Sequence, residues 1–233
     1  MPRCARLSVA GIPWHIIQRG NNRTACFYAD EDYRFYLELL EEPSGKFGCA
    51  VHAYVLMTNH VHLLLTPEKE ESAVLLMKHL GQRYVQYVNR TYRRSGTLWE
   101  GRFRSCLAQA EDYVLACYRY IELNPVRADM VRHPREYRWS SYRANAEGRS
   151  TELIQTHDIY KRLGRCVESR REAYRGLFKA HMEDGMMDNI RAATNGNTVL
   201  GTARFQEEIG QMLGRRVTKG RAGRPAKLVE FDE

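Results

Sequence analysis

Residues 49–67 read CAVHAYVLMTNHVHLLLTP and are the part of the sequence that is most informative about the fold. Two apolar runs, at 49–57 and 60–66, are separated only by a Thr-Asn pair. Apolar, β-branched runs joined by so short a turn are typical of an antiparallel β-hairpin. Pro67 ends the second run, because proline removes a backbone donor that a strand needs. The sequence therefore predicts a hairpin at this point.

Further elements lie on both sides of the hairpin and alternate between strand and helix. Helix boundaries are indicated by Asp30, a plausible N-cap, and by Pro125, which forces the residue before it out of helical geometry. The predicted elements are a strand at 12–19, a helix at 30–42, the hairpin, a helix at 70–92, a strand at 98–110 and a helix from about 111 to 124. This order predicts an α+β fold, with a ferredoxin-like antiparallel sheet and helices packed on it.

The chain divides into three predicted segments. Residues 1–145 contain the strands and helices of the sheet domain. Residues 146–213 are expected to form a helical C-terminal extension, with helices at 151–163, 168–182 and 198–213 and a polar linker at 185–197. Residues 214–233 are expected to form a flexible basic tail, since 215–227 hold six Lys and Arg residues and no acid.

Composition restricts the class of protein. The chain has 233 residues, 43% of them hydrophobic, and a formal charge of +8. No apolar run approaches the roughly 20 residues that span a bilayer, and no apolar signal segment follows the N-terminus, so we expect a cytoplasmic protein with no membrane partner. The six cysteines form no Cys-x-x-Cys pair, which argues against zinc knuckles and disulfide frameworks. Basicity favours a polyanionic partner, first of all nucleic acid.

The first candidate site is His60-Val61-His62. Residues i and i+2 of a strand point to the same face, so the two imidazoles lie side by side. Each can donate a ring nitrogen to one divalent ion. The alternative is a pair of half-buried histidines without a ligand, and the spacing alone does not choose between them.

The second candidate is Tyr120 with Asn124, which share one face of a helix at spacing i, i+4. A tyrosine beside a cation is a possible nucleophile, because the cation stabilises the phenolate. The alternative is a packed tyrosine followed by a helix cap. Tyr113 and Tyr118 are rival nucleophiles, but neither has a carboxamide four residues later.

Four motifs together resemble one family. They are IPWHIIQRGNN at 12–22, AYVLMTNHVHLLL at 53–65, WEGRF at 99–103 and RYIELNPVRA at 119–128. The chain resembles the REP-associated tyrosine transposases, which belong to the His-hydrophobe-His superfamily of single-strand DNA endonucleases and transposases. The resemblance covers about residues 5–145 and identifies this segment as the catalytic domain.

The resemblance implies roles for the candidate residues. Tyr120 would be the nucleophile, and His60, His62 and Asn124 would hold Mg²⁺ or Mn²⁺, with Asn124 where related transposases often carry Gln. The family cuts single-stranded DNA at the foot of imperfect palindromic hairpins, beside a short tetranucleotide, through a 5′-phosphotyrosine. Its members are bacterial, so the substrate would be nucleoid DNA. The resemblance favours a monomer that uses its own tyrosine, with a dimer left open.

Candidate DNA contacts fall in three places. Arg102 and Arg104 lie in a basic segment and suit DNA phosphates. The loop after the first strand carries guanidinium and amide groups that can hydrogen-bond the edges of DNA bases. The resemblance also favours sequence-specific DNA contacts in this loop. Its residues are Arg19, Asn21, Asn22 and Arg23. In the tail, Arg221 and Arg224 resemble the core of a minor-groove AT-hook, although Ala222 stands where the hook carries Arg.

Three functions remain open at this point. The first is a metal-dependent nuclease and strand transferase. The second is a regulator that binds DNA hairpins on the same fold without cutting, and the third is a metal-binding structural protein. Intact His60, His62, Tyr120 and Asn124 favour the first, because a binder that does not cut has no need of them.

Overall fold

A five-stranded sheet forms the centre of the computed structural model, which describes residues 6–179 and 184–218. Its strands are β1 (Trp14–Arg19), β2 (Cys49–Met57), β3 (His60–Pro67), β4 (Arg104–Ala108) and β5 (Val199–Leu200). They lie in the order β2-β3-β1-β4-β5, and all neighbours are antiparallel except β4 and β5. The first four strands have the order of a ferredoxin-like sheet, so the predicted α+β fold is confirmed.

Helices cover both faces of this sheet. In the described residues they are α1 (Asp30–Lys46), α2 (Ser72–Thr91), α3 (Ala110–Glu122), α4 (Asn124–Arg127), α5 (Tyr142–Glu147), α6 (Asp158–Lys161), α7 (Val167–Leu177), α8 (Asp184–Gly196) and α9 (Ala203–Leu213). Helices α1 and α2 pack against each other and the sheet, whereas α3 and α8 pack on the strands from the other face. This second face carries the candidate site.

The start of α1 differs from the prediction. Ala29 is the N-cap residue and Asp30 is the first helical residue. The carboxylate of Asp32, which is fully buried, accepts hydrogen bonds from the backbone N–H groups of Tyr28 and Ala29. Asp32 therefore satisfies backbone donors at the helix start, where the Asp30 side chain was expected to act as the cap.

The segment predicted as a polar linker at 185–197 is instead mostly helix α8. Ile190, Ala193 and Thr194 are buried at spacing i, i+3, i+4 and pack this helix against β4 and β1. The helix predicted at 198–213 is also corrected, because Val199 and Leu200 form β5 beside β4 and the helix begins only at Ala203. The extension therefore adds an edge strand and a covering helix to the sheet.

The helix predicted at 151–163 is reduced to α6. Residues before it run along the edge of β2, where Ile154 bridges to Val51 and the Gln155 backbone N–H donates to the Val51 carbonyl. Backbone groups that pair with a strand are not free to close helical turns. The boundaries at 145 and 213 stay predictions.

Two expectations from composition concern the cysteines and the length of apolar helices. The described cysteines, Cys26, Cys49, Cys106, Cys117 and Cys166, are all free thiols. Across residues 6–179 and 184–218, no helix combines the length and apolar character that crossing a bilayer requires.

Candidate active site

His60 and His62 point to the same face of the sheet. They lie opposite Arg19 and Ile17 in the β1–β3 register, so these four side chains form two adjacent cross-strand pairs. The ring centroids of the two histidines are 5.1 Å apart, and the rings meet edge to face. The hairpin therefore places both imidazoles on one face of β3, at the end of the strand next to the turn, because side chains alternate between faces along a strand.

Each histidine is fixed by a neighbour at Nδ1. His60 Nδ1 lies 2.6 Å from the side-chain oxygen of Asn59. His62 Nδ1 lies 2.9 Å from Nε2 of His15, and these two rings are stacked with centroids 5.1 Å apart. In both residues Nε2 is thereby the nitrogen left for a further ligand.

Tyr120 and Asn124 enter the site from the junction of two helices. Helix α3 ends at Glu122, and Leu123 separates it from α4, whose first turn contains Pro125. The Tyr120 ring meets the rings of His62 and His15 edge to face, with centroids 5.7 and 5.5 Å apart. Asn124 lines the same cavity, and its side chain acts on the His60 ring, opposing the burial that lowers the pKa of His60. The four residues predicted from spacing are thus brought together.

The rival tyrosines lie elsewhere. Tyr118 is fully buried and packs against Tyr160 and Tyr174, with ring centroids 6.2 and 5.8 Å away. Tyr113 is partly buried against the hydrophobic core, and neither tyrosine lines the cavity that Tyr120 faces. The geometry therefore leaves Tyr120 as the tyrosine nearest the two histidines among these three.

Two arginines flank Tyr120. The guanidinium carbon of Arg127 lies 4.4 Å from the centre of the Tyr120 ring, and Nη2 donates to the Tyr120 backbone carbonyl at 2.6 Å. Nη1 of Arg127 is buried and has no hydrogen-bond partner among the described residues. Arg191 of α8 lies beside the Tyr120 side chain, which, together with the ion pair to Asp188, raises the pKa of Arg191. Positive charge is therefore concentrated around the phenol.

The histidines at the site are held in the neutral form. Burial, with a smaller contribution from nearby arginine charges, lowers the pKa of His15 to about 3 and that of His60 to about 4. Burial also holds the pKa of His62 well below its usual value. A neutral imidazole keeps one lone pair, which is the form that binds a metal ion.

These side chains enclose a cavity of about 300 Å³. It is lined by His15, Ile17, Arg19, His60, His62, Tyr120, Asn124, Arg127, Ala128, Arg191, Thr194 and Asn195. In the part of the chain that the structure describes, no three His, Cys, Asp or Glu side chains are grouped to hold a metal ion. A cation here would depend on two imidazoles and the Asn124 amide, which is the donor set expected from the family resemblance.

A second cavity, of about 470 Å³, adjoins the first and shares Ile17, Arg19 and Asn195 with it. We call it the basic cavity; its cationic lining residues are Arg6, Arg19, Arg102 and Arg104. Arg6 stacks on Phe103, with its guanidinium carbon 3.6 Å from the ring centre. Burial and the charge of Arg102 lower the pKa of Arg6 to about 10. Two of the predicted DNA contacts, Arg102 and Arg104, thus lie beside the candidate site.

The predicted DNA-reading loop lies at the same end of the sheet. Asn21, Asn22 and Arg23 form a 3₁₀ turn, in which Asn22 and Arg23 are exposed and have positive φ angles of 51° and 60°. Asn59 of the hairpin donates to the Arg23 carbonyl and fixes the turn beside the histidines. The remaining predicted contacts, Arg221 and Arg224, lie outside the described residues.

The sequence did not identify five polar or charged residues that line the cavity: His15, Arg127, Arg191, Thr194 and Asn195. His15 and Arg127 fall inside the quoted motifs, but nothing in their spacing indicated a role. The other three belong to α8, whose signal was the i, i+3, i+4 pattern of its buried face.

Comparisons with known proteins bear on this geometry. Residues 8–124, half of the chain, match the model of the family described as IS200-like transposase. The structure of a REP-associated tyrosine transposase bound to a REP hairpin is similar, with a TM-score of 0.55, 15% identity, and coverage of 68% of this chain and 93% of that one. A candidate transposase from Deinococcus radiodurans R1 matches with a TM-score of 0.37, 20% identity, and coverage of 49% and 91%. No curated protein matches the chain.

Proposed function

The chain belongs to the IS200-like transposase family, and from this premise we propose that it is a metal-dependent, single-strand-specific DNA endonuclease and strand transferase acting at hairpin elements of the REP type. The observation that carries the proposal is the shared cavity, in which two imidazoles, a carboxamide and a phenol from distant parts of the chain converge. One chain supplies all four groups, which supports a monomer that uses its own tyrosine.

The donor set fits Mg²⁺ or Mn²⁺. Imidazole and amide groups are compatible with Mn²⁺, and both divalent ions accept amide oxygen. His60, His62 and Asn124 line one cavity, so their side chains face the same space. His60, His62 and Asn124 would hold the ion, which supplies polarisation of the scissile phosphate when bound.

Tyr120 is the proposed nucleophile. Its oxygen forms a bond to phosphorus, the bond between phosphorus and the 3′ oxygen breaks, and the 3′ oxygen leaves with a proton as a hydroxyl. The product is a 5′-phosphotyrosine. Because the new phosphoester retains the energy of the broken one, a 3′-hydroxyl can attack it and join two strands without ATP.

Arg127 and Arg191 are proposed to stabilise the charge that develops in this step. Arg127 offers a buried N–H that has no partner among the described residues, beside the Tyr120 ring. A buried donor without a partner is costly, and an incoming phosphate oxygen would satisfy it. Arg191 lies beside the Tyr120 side chain in the same cavity and would add positive charge where the phosphate is attacked.

The basic cavity is proposed to hold the DNA strand next to the scissile phosphate. The positive charges of Arg6 and Arg102, which both line this cavity, repel one another. A bound phosphate would reduce this repulsion and would itself be attracted to both arginines. The 3₁₀ turn of residues 21–23 would contact the bases. The REP hairpin bound to the similar transposase supports hairpin DNA as the substrate class.

Cleavage of an oligonucleotide with a REP-type hairpin and a single-stranded flank tests the proposal. With Mn²⁺ the wild type is expected to cut and to form a covalent DNA adduct, while Tyr120→Phe, which keeps the ring, does neither. Binding without cutting by the wild type under all divalent ions would instead establish the hairpin-binding regulator. Equal cutting by both proteins would remove Tyr120 from the mechanism.

A further inference from the structure

A buried chain of three side chains links helix α8 to the candidate cation site. Thr194 Oγ1 lies 2.9 Å from His15 Nδ1, and His15 Nε2 lies 2.9 Å from His62 Nδ1. All three side chains are at most 3% exposed. Water therefore does not compete for these contacts, and each contact must be completed by a hydrogen from one of its two partners.

The positions of the hydrogens follow from one end of the chain. Thr194 Oγ1 lies 2.7 Å from the backbone carbonyl oxygen of Ile190, which has no hydrogen to give, so the Thr194 hydroxyl donates there. Its oxygen must then accept from Nδ1–H of His15. A neutral imidazole carries one N–H, so His15 Nε2 is an acceptor and the hydrogen between the rings belongs to His62 Nδ1.

We propose that Thr194 and His15 are positioning residues that hold His62 in the Nδ1–H tautomer, with its Nε2 lone pair directed to the cation. This inference rests on the proposed function, since it assigns a purpose to the orientation of a proposed ligand. His60 is held in the same tautomer by a different contact, in which its Nδ1 lies 2.6 Å from the side-chain oxygen of Asn59. Both proposed histidine ligands thus present Nε2.

The consequence is that a residue of the C-terminal extension controls the cation site at a distance. If the Thr194 hydroxyl is removed, Nδ1–H of His15 loses its acceptor in a buried place. His15 is then free to shift its hydrogen to Nε2, where it donates to His62 Nδ1. That shift moves the hydrogen of His62 onto Nε2, which closes the nitrogen that would bind the ion.

The matched pair Thr194→Val and Thr194→Ser tests this directly. Valine has the shape of threonine without the hydroxyl, whereas serine keeps it. With the full-length protein and Mn²⁺ alone as the probe, calorimetry should show affinity lowered about 10–100-fold in Thr194→Val and within about threefold of wild type in Thr194→Ser. Equal Mn²⁺ affinity in all three proteins would overturn the proposal.

A measurement on the unmodified chain makes the test independent of how the variants fold. Long-range ¹H–¹⁵N NMR spectra of the metal-free wild type should show the His62 ring protonated at Nδ1. A ring protonated at Nε2 would overturn the proposal. If His62 has the expected tautomer but the wild type binds no Mn²⁺, the proposed function fails and the hydrogen-bond chain stands. If the wild type cuts DNA and Thr194→Val binds Mn²⁺ normally, the proposed function stands and the positioning role of Thr194 fails.

Discussion

Replacing Arg127 with Met is expected to remove most DNA cleavage without lowering the stability of the fold. The guanidinium lies over the Tyr120 ring, and its Nη2 supports the fold by donating a hydrogen bond to the Tyr120 carbonyl. Nη1 is buried without a partner among the described residues. A cation held in this way stabilises the folded state poorly, and in the proposed mechanism its role is to bind phosphate.

The contribution of Arg127 to the stability of the fold is expected to differ from its contribution to the cleavage rate, and the two can be compared. Burial lowers the pKa of Arg127 to about 10, which corresponds to a cost of at most about 3 kcal/mol for the charged form, less because the side chain is partly exposed. Loss of the hydrogen bond that the charged guanidinium donates to the Tyr120 carbonyl costs about 1.5–3 kcal/mol. The free energy of unfolding should therefore stay nearly level. A preorganised donor at a reacting oxyanion contributes about 2.7–4 kcal/mol, or 10²–10³ in rate.

The assay is single-turnover cleavage of the hairpin oligonucleotide with Mn²⁺, paired with urea denaturation of the same preparations. Arg127→Met should cut about 10²–10³ times more slowly, with an unfolding midpoint that is nearly unchanged. Arg127→Lys, which keeps the charge but not the planar fork, should cut at a rate between those of wild type and Arg127→Met. Cleavage by Arg127→Met at the wild-type rate would exclude a role for Arg127 in the reaction, as would a large loss of stability that accounts for the slower cutting.

Two further predictions concern DNA affinity and acid stability. For single-stranded DNA the log–log dependence of affinity on salt changes by about 0.7 per phosphate contact, so Arg102→Ser combined with Arg104→Ser should make the slope less steep by about 1.4. Lys46→Ser with Lys69→Ser, exposed at the opposite end of the sheet, should leave the slope unchanged; equal slopes in both double variants would exclude the basic cavity as the strand site. Burial lowers the pKa of His52 from 6.5 to about 4. As pH falls, His52 is therefore protonated in the unfolded chain before it is protonated in the folded protein. The free energy of unfolding should fall by about 2 kcal/mol between pH 7 and pH 5 for this reason. His52→Gln should lose that much less in denaturant titrations at the two pH values, and parallel losses would contradict the assignment.

The sheet and four candidate residues could be predicted because their signals are local. The hairpin shows its period over a few residues, and His60 with His62, like Tyr120 with Asn124, form pairs at spacings that share one strand or helix face. The order of the elements then limits the topology to a few arrangements, of which the ferredoxin-like sheet is one. Local periodicity and order therefore sufficed for the framework of the site.

The remaining parts of the site depend on contacts that no local pattern reveals. His15 is 47 residues from His62 and 179 from Thr194 in sequence, so the buried chain that joins them forms only when β1, β3 and α8 are packed together. Helix α8 was predicted as a linker because it is polar overall, although its narrow buried face includes Ile190 and Ala193. Strand β5 has two residues, too few for any period.

Peptide mapping of the covalent adduct can show whether Tyr120, and no other tyrosine of helix α3, becomes bonded to DNA. Trypsin cuts after Arg104, Arg119 and Arg127, so Tyr120 falls in the peptide at 120–127 while Tyr113 and Tyr118 share the peptide at 105–119. After cleavage with Mn²⁺ and nuclease trimming, mass spectrometry should place a 5′-linked nucleotide on Tyr120. A nucleotide on Tyr113 or Tyr118, or efficient cutting with no tyrosine modified, would contradict the account.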